Sequence, residues 1–327
     1  METICEIGGR EDFLLDLLVK IRQEKFGIRY GAPDELLLHS GGPQSDLAQQ
    51  GLLMGPAIRR YIVRQQPIEA TAVTGSPLQG EINIRANPHP LQIHVEDWDD
   101  DWSCSEVITG VDLADGLRQL SDTLLPSRGE GFQAGGLAGL LTYDMVQHTE
   151  PLRLQNLPKD ESILMVLYRA DRWVVHNRIE SKIETHSSIP EDQWVTDIEK
   201  VLNQDIPVRN SPPSPRARVP KTESDEEHAD KVRRTQAAIR AGVLYQLNYG
   251  RIWSAQIDSP WNVFERLERD NPAPLSAWLH SPDLQLAITS SSPELLLKQD
   301  GKTISTRPIK GTRPRGDDSE HDANLRG

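Results

Sequence analysis

The feature that most constrains the fold is a proline-rich tract at residues 208–220, which contains four prolines. Proline fixes its φ angle and has no amide donor, so a tract of this composition cannot continue a helix or the ladder of a sheet. The tract therefore divides the chain. It predicts a first region at residues 1–206, a linker or long surface loop at 207–221, and a second region at 222–327.

The region before the tract mixes the patterns of helices and strands. Apolar residues at positions 13, 14, 17, 18 and 21 follow the period of an amphipathic helix and predict one over residues 12–23. A second helix is predicted over residues 113–125. Short, partly alternating segments bounded by Gly, Pro or Asp indicate an antiparallel sheet, which makes this half α+β. Strands are predicted at 35–39, 81–84 and 91–95, with a strand pair at 165–167 and 173–175.

The second region opens with the signature of a helix N-terminus. Ser224 can cap the helix, and Glu227 three residues later completes a capping box. Gly242 is a typical C-terminal stop, so a helix is predicted over residues 224–241. Its inward stripe is predicted to consist of Ala229, Val232, Gln236 and Ile239.

The last segment carries the strongest hairpin signal in the chain. Residues 283–288 alternate as a half-buried strand. The dipeptide Asp300-Gly301 then separates two further strand patterns, at 295–299 and 302–306, and Asp-Gly favours a two-residue hairpin loop.

The register of this hairpin sets a geometric condition on any site built there. With the Asp-Gly dipeptide as the loop, Glu294 is predicted to lie opposite Arg307. In that register Lys310 faces the other side of the ladder from Glu294. The prolines at 293 and 308 lack amide donors, so a bulge or an exit from the sheet is needed to bring the two side chains to one face.

The charge balance argues against two classes of partner. A formal net charge of −13 makes the average surface repel nucleic acid and anionic membranes. An anionic substrate would then need a locally basic pocket. Such a pocket is predicted from Arg307, Lys310, Arg313 and Arg315.

The cysteines and the N-terminal residues predict a cytoplasmic protein. Cys5 and Cys104 lie far apart without a C-x-x-C spacing, which is typical of reduced thiols rather than of a zinc site. Residues 1–10 contain Glu2, Glu6 and Arg10, where a secretory signal would have an uninterrupted apolar run.

Lys310 and Glu294 bring an amine and a carboxylate near a reversal of the chain. An ordinary lysine has a pKa of about 10.4 and is protonated at neutral pH, so a nucleophilic role requires neighbouring arginines or desolvation to lower that pKa. Each residue also has a plainer interpretation. Lys310 can be a surface lysine in a turn, Glu294 an exposed charge at a strand end, and the arginines solvated charges.

Several blocks, in order along the chain, resemble the chorismate-utilising enzymes that include anthranilate synthase component I and aminodeoxychorismate synthase component I. Ordered matches spread over most of the chain are more specific than any single block. The blocks are Leu-Leu-His-Ser-Gly at 37–41, the glycine-rich segment ending in Tyr-Asp at 135–144, Tyr-Gln-Leu-Asn at 245–248, Asn-Pro-Ala-Pro-Leu-Ser-Ala at 271–277, Ser-Pro-Glu at 292–294 and Pro-Ile-Lys-Gly-Thr at 308–312.

Within that family the residue at 310 implies the activity. Anthranilate synthases typically show Pro-Ile-Ala-Gly-Thr, whereas aminodeoxychorismate synthases show the lysine found here. The resemblance implies transfer of ammonia to C4 of chorismate, giving 4-amino-4-deoxychorismate for 4-aminobenzoate and folate synthesis. It implies that Lys310 adds to the ring as the 4-hydroxyl leaves and that Glu294 is the general acid or base. Substrate binding is assigned by the same resemblance to Arg307, Gly311, Thr312 and Arg313.

The resemblance also implies a fold, a second pocket and partners. The fold is α+β, with largely antiparallel sheets packed face to face and helices outside. Ser40, Asn271 and Pro272 match segments that form a tryptophan pocket, although residues 36–38 can equally be a plain core strand. A separate glutamine amidotransferase subunit would supply ammonia, because the two cysteines lack the surroundings of a glutaminase nucleophile.

Magnesium is expected from the resemblance, with its ligands in a C-terminal part that relatives carry beyond the position of Gly327. No metal ligand is predicted within this chain, and the chain alone is expected to be inactive, with apolar faces exposed on the hairpin and on the helix at 224–241. Two alternatives stay open. One is anthranilate synthase component I, and the other is a non-catalytic module that binds tryptophan or a glutaminase.

Overall fold

The computed structural model describes residues 3–6, 10–65, 90–122, 135–149, 162–209, 223–309 and 318. The chain divides into two compact units. The first comprises residues 1–209 and 267–327, and the second comprises residues 210–266. The predicted strand at 81–84 and most of the predicted linker at 207–221 lie outside the described residues, so the predicted domain boundaries stay a prediction.

A seven-stranded sheet forms one layer of the first unit, and each of its neighbouring strand pairs is antiparallel. Strand β2 near the N-terminus pairs with β11, more than two hundred residues later, so the sheet joins distant parts of the sequence. In spatial order the strands are β1 (Thr3–Glu6), β10 (Lys182–Ser187), β9 (Arg172–Asn177), β3 (Gln50–Met54), β2 (Glu35–His39), β11 (Leu275–Ser281) and β12 (Leu286–Ser292).

A five-stranded antiparallel sheet forms the second layer. Its spatial order is β6 (Trp102–Val111), β5 (Leu91–Trp98), β4 (Arg59–Gln65), β8 (Ile163–Ala170) and β7 (Gly136–Leu141). Leu36, Met54 and Leu279 from the first sheet share one buried cluster with Val166 and Tyr168 from the second. Each such aliphatic side chain contributes about 1.5–3 kcal/mol by leaving water, so this shared core fixes the two sheets face to face.

Two helices, α1 (Phe13–Gln23) and α4 (Gln193–Leu202), lie on the other face of the seven-stranded sheet. The apolar stripe of α1 is buried, and Leu14 packs so closely over β3 that a Cβ on Gly51 would lie 2.9 Å from Leu14 Cδ1. The predicted α+β fold with outer helices is therefore confirmed. The helices are α1 (Phe13–Gln23), α2 (Phe26–Tyr30), α3 (Leu113–Asp122), α4 (Gln193–Leu202), α5 (Asp225–Arg240) and α6 (Pro260–Asp270), with a 3₁₀ helix at Tyr143–His148.

The predicted strand pair at 165–167 and 173–175 is wrong as a pair. Both strands exist, but β8 belongs to the five-stranded sheet and β9 to the seven-stranded sheet. Only Asp171 separates β8 from β9, which is too short a connection for a two-residue hairpin loop. Asp171 is buried and accepts a 2.8 Å hydrogen bond from Arg169 Nε, which holds the point where the chain changes sheets.

The predicted strand at 283–288 begins later than expected, because β12 starts at Leu286. The preceding residues form the turn after β11, where Gln285 has a φ of +51°. Asp283 accepts a 2.8 Å hydrogen bond from the buried Arg60 Nη1, and this contact holds Asp283 in the turn before the strand. The predicted helix at 113–125 is confirmed to Asp122; its last residues lie outside the described ones.

In the second unit the capping box of α5 is present as predicted. The Glu227 amide donates to Ser224 Oγ across 3.1 Å, and the Ser224 amide donates to Glu227 Oε2 across 2.8 Å. Gly242 follows with a φ of +71°, the left-handed conformation that favours glycine. The predicted stripe is not buried: Val232 is 38% exposed, Ile239 is 41% exposed, and no residue of α5 is buried in the described structure, which agrees with the apolar face expected to be exposed on this helix.

Among the described residues, no helix combines the length and the apolar character needed to cross a bilayer. Cys104 is exposed and carries a free thiol.

Candidate functional site

The catalytic candidates lie around the two-stranded sheet formed by β13 (Leu295–Asp300) and β14 (Thr303–Arg307). Glu294 is exposed just before β13, and its amide donates to Ser292 Oγ across 3.2 Å. Four other predicted site residues fall outside the described part of the chain, so the Glu294–Lys310 pair stays a prediction. These four residues are Lys310, Gly311, Thr312 and Arg313.

The predicted register of this hairpin is wrong by two residues beside the loop and by one residue at Arg307. Asp300 pairs with Thr303, so Gly301 and Lys302 form the loop, and Gly301 takes a φ of +56°. The Cα partner of Arg307 is Leu295 rather than Glu294. The ladder also shifts between Leu295 and Lys298, close to where the prolines predicted an interruption.

Arg307 pairs with an acidic side chain of the first region, residues 1–206. Its Nη1 forms an ion pair with Asp46, and both side chains are more than half exposed. An exposed ion pair contributes little to stability and is readily exchanged for another anion. Substrate binding by Arg307 remains a prediction that this pairing leaves untested.

The three tryptophan-pocket candidates are brought together where β2 ends. The Gly41 amide donates to the Ala273 carbonyl across 2.9 Å, which joins the segment of Ser40 to that of Asn271 and Pro272. Gly42 has a φ of +72°, and a Cβ there would lie 3.3 Å from the Pro272 carbonyl oxygen.

Hydrogen bonds hold both walls of the candidate tryptophan pocket, one formed by the segment of Ser40 and the other by the segment of Asn271 and Pro272. Ser40 is buried, and its hydroxyl donates to the Gln50 carbonyl across 2.5 Å. On the other wall, Ser291 Oγ donates to the Asn271 carbonyl across 2.6 Å. Leu38, on the same face of β2 as Ser40, is 39% exposed, so an apolar surface adjoins these polar groups.

The opposite face of β2 carries a cluster that sequence reasoning missed, in which His39 and Glu268 are buried and Asp12 is more than half exposed. His39 is 3% exposed, and its Nε2 lies 3.6 Å from both Asp12 Oδ1 and Glu268 Oε2. The close approach of the His39 imidazole is the largest cause that lowers the pKa of Asp12 to about 2. Burial likewise lowers the pKa of the nearby His176 to about 4.

Within this cluster, the Glu268 carboxylate is the group that lacks hydrogen bonds. Neither carboxylate oxygen has a hydrogen-bond partner among the described residues. The nearby Ser276 hydroxyl lowers the pKa of Glu268, although it donates to the Ala273 carbonyl across 3.1 Å. Burial outweighs this influence and raises the pKa of Glu268. A signal was present in the sequence: His39 continues the alternation of Leu37, and Glu268 lies four residues after Phe264 on the apolar stripe of α6.

Among the described residues, no group of three or more His, Cys, Asp or Glu side chains is able to hold a metal ion. The donor set in this part of the chain therefore does not fit a magnesium site. Magnesium stays an expectation drawn from the resemblance.

A sequence model of the chorismate binding enzyme family matches residues 90–327, which is more than half of the chain. The chain belongs to the chorismate binding enzyme family. Anthranilate synthase component 1 of Thermus thermophilus is 34% identical over 203 residues, which are 58% of this chain and 42% of that protein. Aminodeoxychorismate synthase component 1 of Salmonella typhimurium is 31% identical over 231 residues, which are 67% of this chain and 48% of that protein.

The chain thus spans less than half the length of these two curated relatives. Among solved structures, anthranilate synthase component I from Streptococcus pneumoniae matches with a TM-score of 0.55 and 16% identity, covering 82% of this chain and 55% of that one. This likeness shows the fold alone. Family membership places the chain among chorismate-binding enzymes, and relatives of both names leave the specific member open.

Proposed function

We propose that this chain supplies the catalytic lysine and glutamate of an aminodeoxychorismate synthase component I, which transfers ammonia to C4 of chorismate to give 4-amino-4-deoxychorismate. Family membership supports the substrate. The observation that carries the choice of reaction is Lys310 within the Pro-Ile-Lys-Gly-Thr block. Anthranilate synthase component I remains the runner-up.

In the proposed reaction Lys310 Nζ, in its neutral form, forms a bond to the chorismate ring while the C4–O bond breaks. Glu294 gives its proton to the departing hydroxyl, which leaves as water. General acid catalysis of this kind contributes about 10²–10⁴-fold. Ammonia then forms the C4–N bond as the Nζ–ring bond breaks, and the incoming nitrogen returns one proton to Glu294, so that both the neutral lysine and the protonated glutamate are regenerated.

Two features support these roles. Glu294 lies exposed at the start of β13, where it is accessible to a substrate. Arg307 and Arg313 add positive charge, which favours the neutral form of Lys310 and attracts the carboxylates of chorismate.

Gly311 and Thr312 are proposed to bring backbone close to the substrate. Ammonia is proposed to come from a glutamine amidotransferase partner in the cytoplasm, and magnesium to be held by residues beyond those described.

The first test is product identification by chromatography and mass. The chain is incubated with chorismate, magnesium and ammonium, with and without a separately made C-terminal segment of a relative. 4-Amino-4-deoxychorismate supports the proposal, anthranilate supports the runner-up, and no product in either mixture overturns both. Lys310→Ala is expected to abolish amination, whereas the loop variant Lys302→Ala is expected to retain it.

A second candidate function is tryptophan binding at Ser40, Asn271 and Pro272. The observation that favours it is the Gly41–Ala273 hydrogen bond, which brings the two predicted pocket segments together beside the exposed Leu38. Calorimetric titration with L-tryptophan tests it, with Ser40→Phe expected to abolish binding and the exposed Ser45→Phe to retain it. Tryptophan binding without chorismate turnover would favour the non-catalytic module.

A further inference from the structure

A cavity of about 200 Å³ lies within the first unit, on the face of the seven-stranded sheet that the helices cover. Leu53 and Val174 pair across β3 and β9 and form its floor. Leu18 and Ile21 of α1 and Trp194 of α4 form its walls. This lining is mostly apolar, with charged residues contributing part of it, and it is separate from Ser40, Asn271, Pro272, Glu294 and Arg307.

Trp194 gives the cavity an unusual polar feature. The side chain is 1% exposed, yet its Nε1 has no hydrogen-bond partner among the described residues. Buried N–H groups are nearly always paired, so an orphan indole requires an explanation. The ring edge next to Nε1 lies over Gly55, another lining residue, where a Cβ would be 2.9 Å from Trp194 Cζ2.

The charges around the cavity favour an anion. Glu35 receives bidentate hydrogen bonds of 2.6 and 2.5 Å from Arg22, which neutralise it. The Asp34 carboxylate also has hydrogen-bond donors around it. It accepts a 2.9 Å hydrogen bond from Trp102 Nε1 and further hydrogen bonds from the hydroxyls of Tyr168 and Ser281. Lys25, in contrast, forms no ion pair with any residue that the structure describes, and it is exposed beside Ile28 at the mouth.

We propose that this cavity binds a single-ring aromatic monocarboxylate, with the ring among the apolar lining residues and the carboxylate paired with Lys25. An apolar protein cavity of about 150 Å³ is large enough to take up benzene, so the volume matches one six-membered ring. The inference is independent of the amination reaction and stands whether or not Lys310 is catalytic.

The test follows the indole N–H resonances of the ¹⁵N-labelled full chain during titration with benzoate. Trp194→Phe identifies the Trp194 signal among those of the seven tryptophans. Benzoate is expected to shift that signal saturably, with a dissociation constant on the order of 1 mM. Toluene serves as the neutral probe of the same ring size, and acetate as the carboxylate without a ring.

Matched variants separate the two parts of the proposal. Lys25→Ala is expected to weaken benzoate binding about threefold to fivefold, the scale of one exposed charge pair, and to leave toluene binding unchanged. Lys182→Ala, which removes a lysine outside the cavity, is expected to change neither. Ala32→Leu fills the cavity and is expected to abolish binding of both probes, with circular dichroism to show that the variant is folded.

Three results would overturn the proposal. The first is the absence of a saturable Trp194 shift with benzoate. The second is an equal loss of benzoate affinity in Lys25→Ala and Lys182→Ala, which would mean a nonspecific charge effect. The third is an acetate shift as large as that of benzoate, which would exclude a role for the ring. If Ala32→Leu fails to fold, the comparison of the two lysine variants still decides.

Discussion

The Tyr168 hydroxyl donates a 2.6 Å hydrogen bond to Asp34 Oδ1, and this contact joins the five-stranded sheet to the start of β2 in the seven-stranded sheet. The Asp34 side chain has no exposed surface, and it also lies 3.4 Å from Arg60 Nη1. Burial and the negative charge of Asp34 raise the pKa of Tyr168 well above its usual range, so its proton stays in place. The two sheets are therefore joined by a buried polar network as well as by their apolar core.

We expect Asp34→Ala to destabilise the chain by about 3–5 kcal/mol, because it removes one member of a buried charged network and leaves Tyr168 and Arg60 with fewer partners. Tyr168→Phe should cost less, about 1.5–3 kcal/mol, since it deletes one hydrogen bond to a charged group. Urea unfolding measures both. The exposed Asp115→Ala is the control, and an equal effect of Asp115→Ala and Asp34→Ala would contradict the network.

The free energy of unfolding is expected to depend on pH because of Glu268. Burial raises its pKa in the folded chain, so its stabilising contribution is present below the unfolded pKa and is lost as pH rises through the folded pKa. Glu268→Gln removes the cost of burying the charge. The variant should therefore gain stability relative to the parent as pH rises from about 4 to 8.

The measurement is the free energy of unfolding of both proteins across this pH range. Glu180→Gln is the control, since that residue is exposed and pairs with Lys182. A difference between Glu268→Gln and the parent that does not change with pH would show that the pKa of Glu268 is the same in the folded and unfolded chains, which would contradict the prediction.

Local structure could be predicted from the sequence because its causes are local. The period of apolar residues in α1 and the Ser224–Glu227 capping box of α5 depend on residues within a few turns of one helix. The α+β class and the presence of the β13–β14 hairpin followed from the same kind of pattern. Each of these expectations has its counterpart in the structure.

Strand partners could not be predicted, because distant packing decides them. The alternation around residues 165–175 is that of two strands, but it does not reveal that β8 and β9 join different sheets. The Asp-Gly signal likewise locates a turn without fixing which two residues occupy the loop. At the candidate site, the polar residue His39 in an apolar strand was visible, whereas its partner Glu268 came close only through the pairing of β2 with β11.

The α5 capping box yields a prediction confined to the second unit. Ser224→Ala removes the acceptor of the Glu227 amide and should lower helix stability by about 0.5–2 kcal/mol. Amide hydrogen exchange in the first turn of α5 measures the change. Ser254→Ala, an exposed serine outside any helix, should leave that exchange unaltered, and equal protection in the two variants would mean that the cap has no energetic role.

Gly41 links the buried cluster to the candidate tryptophan pocket, and its substitution tests both. A Cβ on Gly41 would lie 2.7 Å from Glu268 Oε2 and 3.1 Å from the Ala273 carbonyl oxygen, so the two pocket walls would have to separate. We expect Gly41→Ala to cost about 1–3 kcal/mol of stability, as overpacking does, and to weaken tryptophan binding if the pocket is real.

Gly250→Ala is the matched control for this substitution. A Cβ at Gly250 has no neighbour within 4 Å, so we expect that variant to be neutral or slightly stabilised through its unfolded state. Thermal unfolding and calorimetric titration with L-tryptophan compare the two. If Gly41→Ala loses stability but binds tryptophan as the parent does, the close approach of residues 41 and 273 serves packing alone, and the pocket must lie elsewhere.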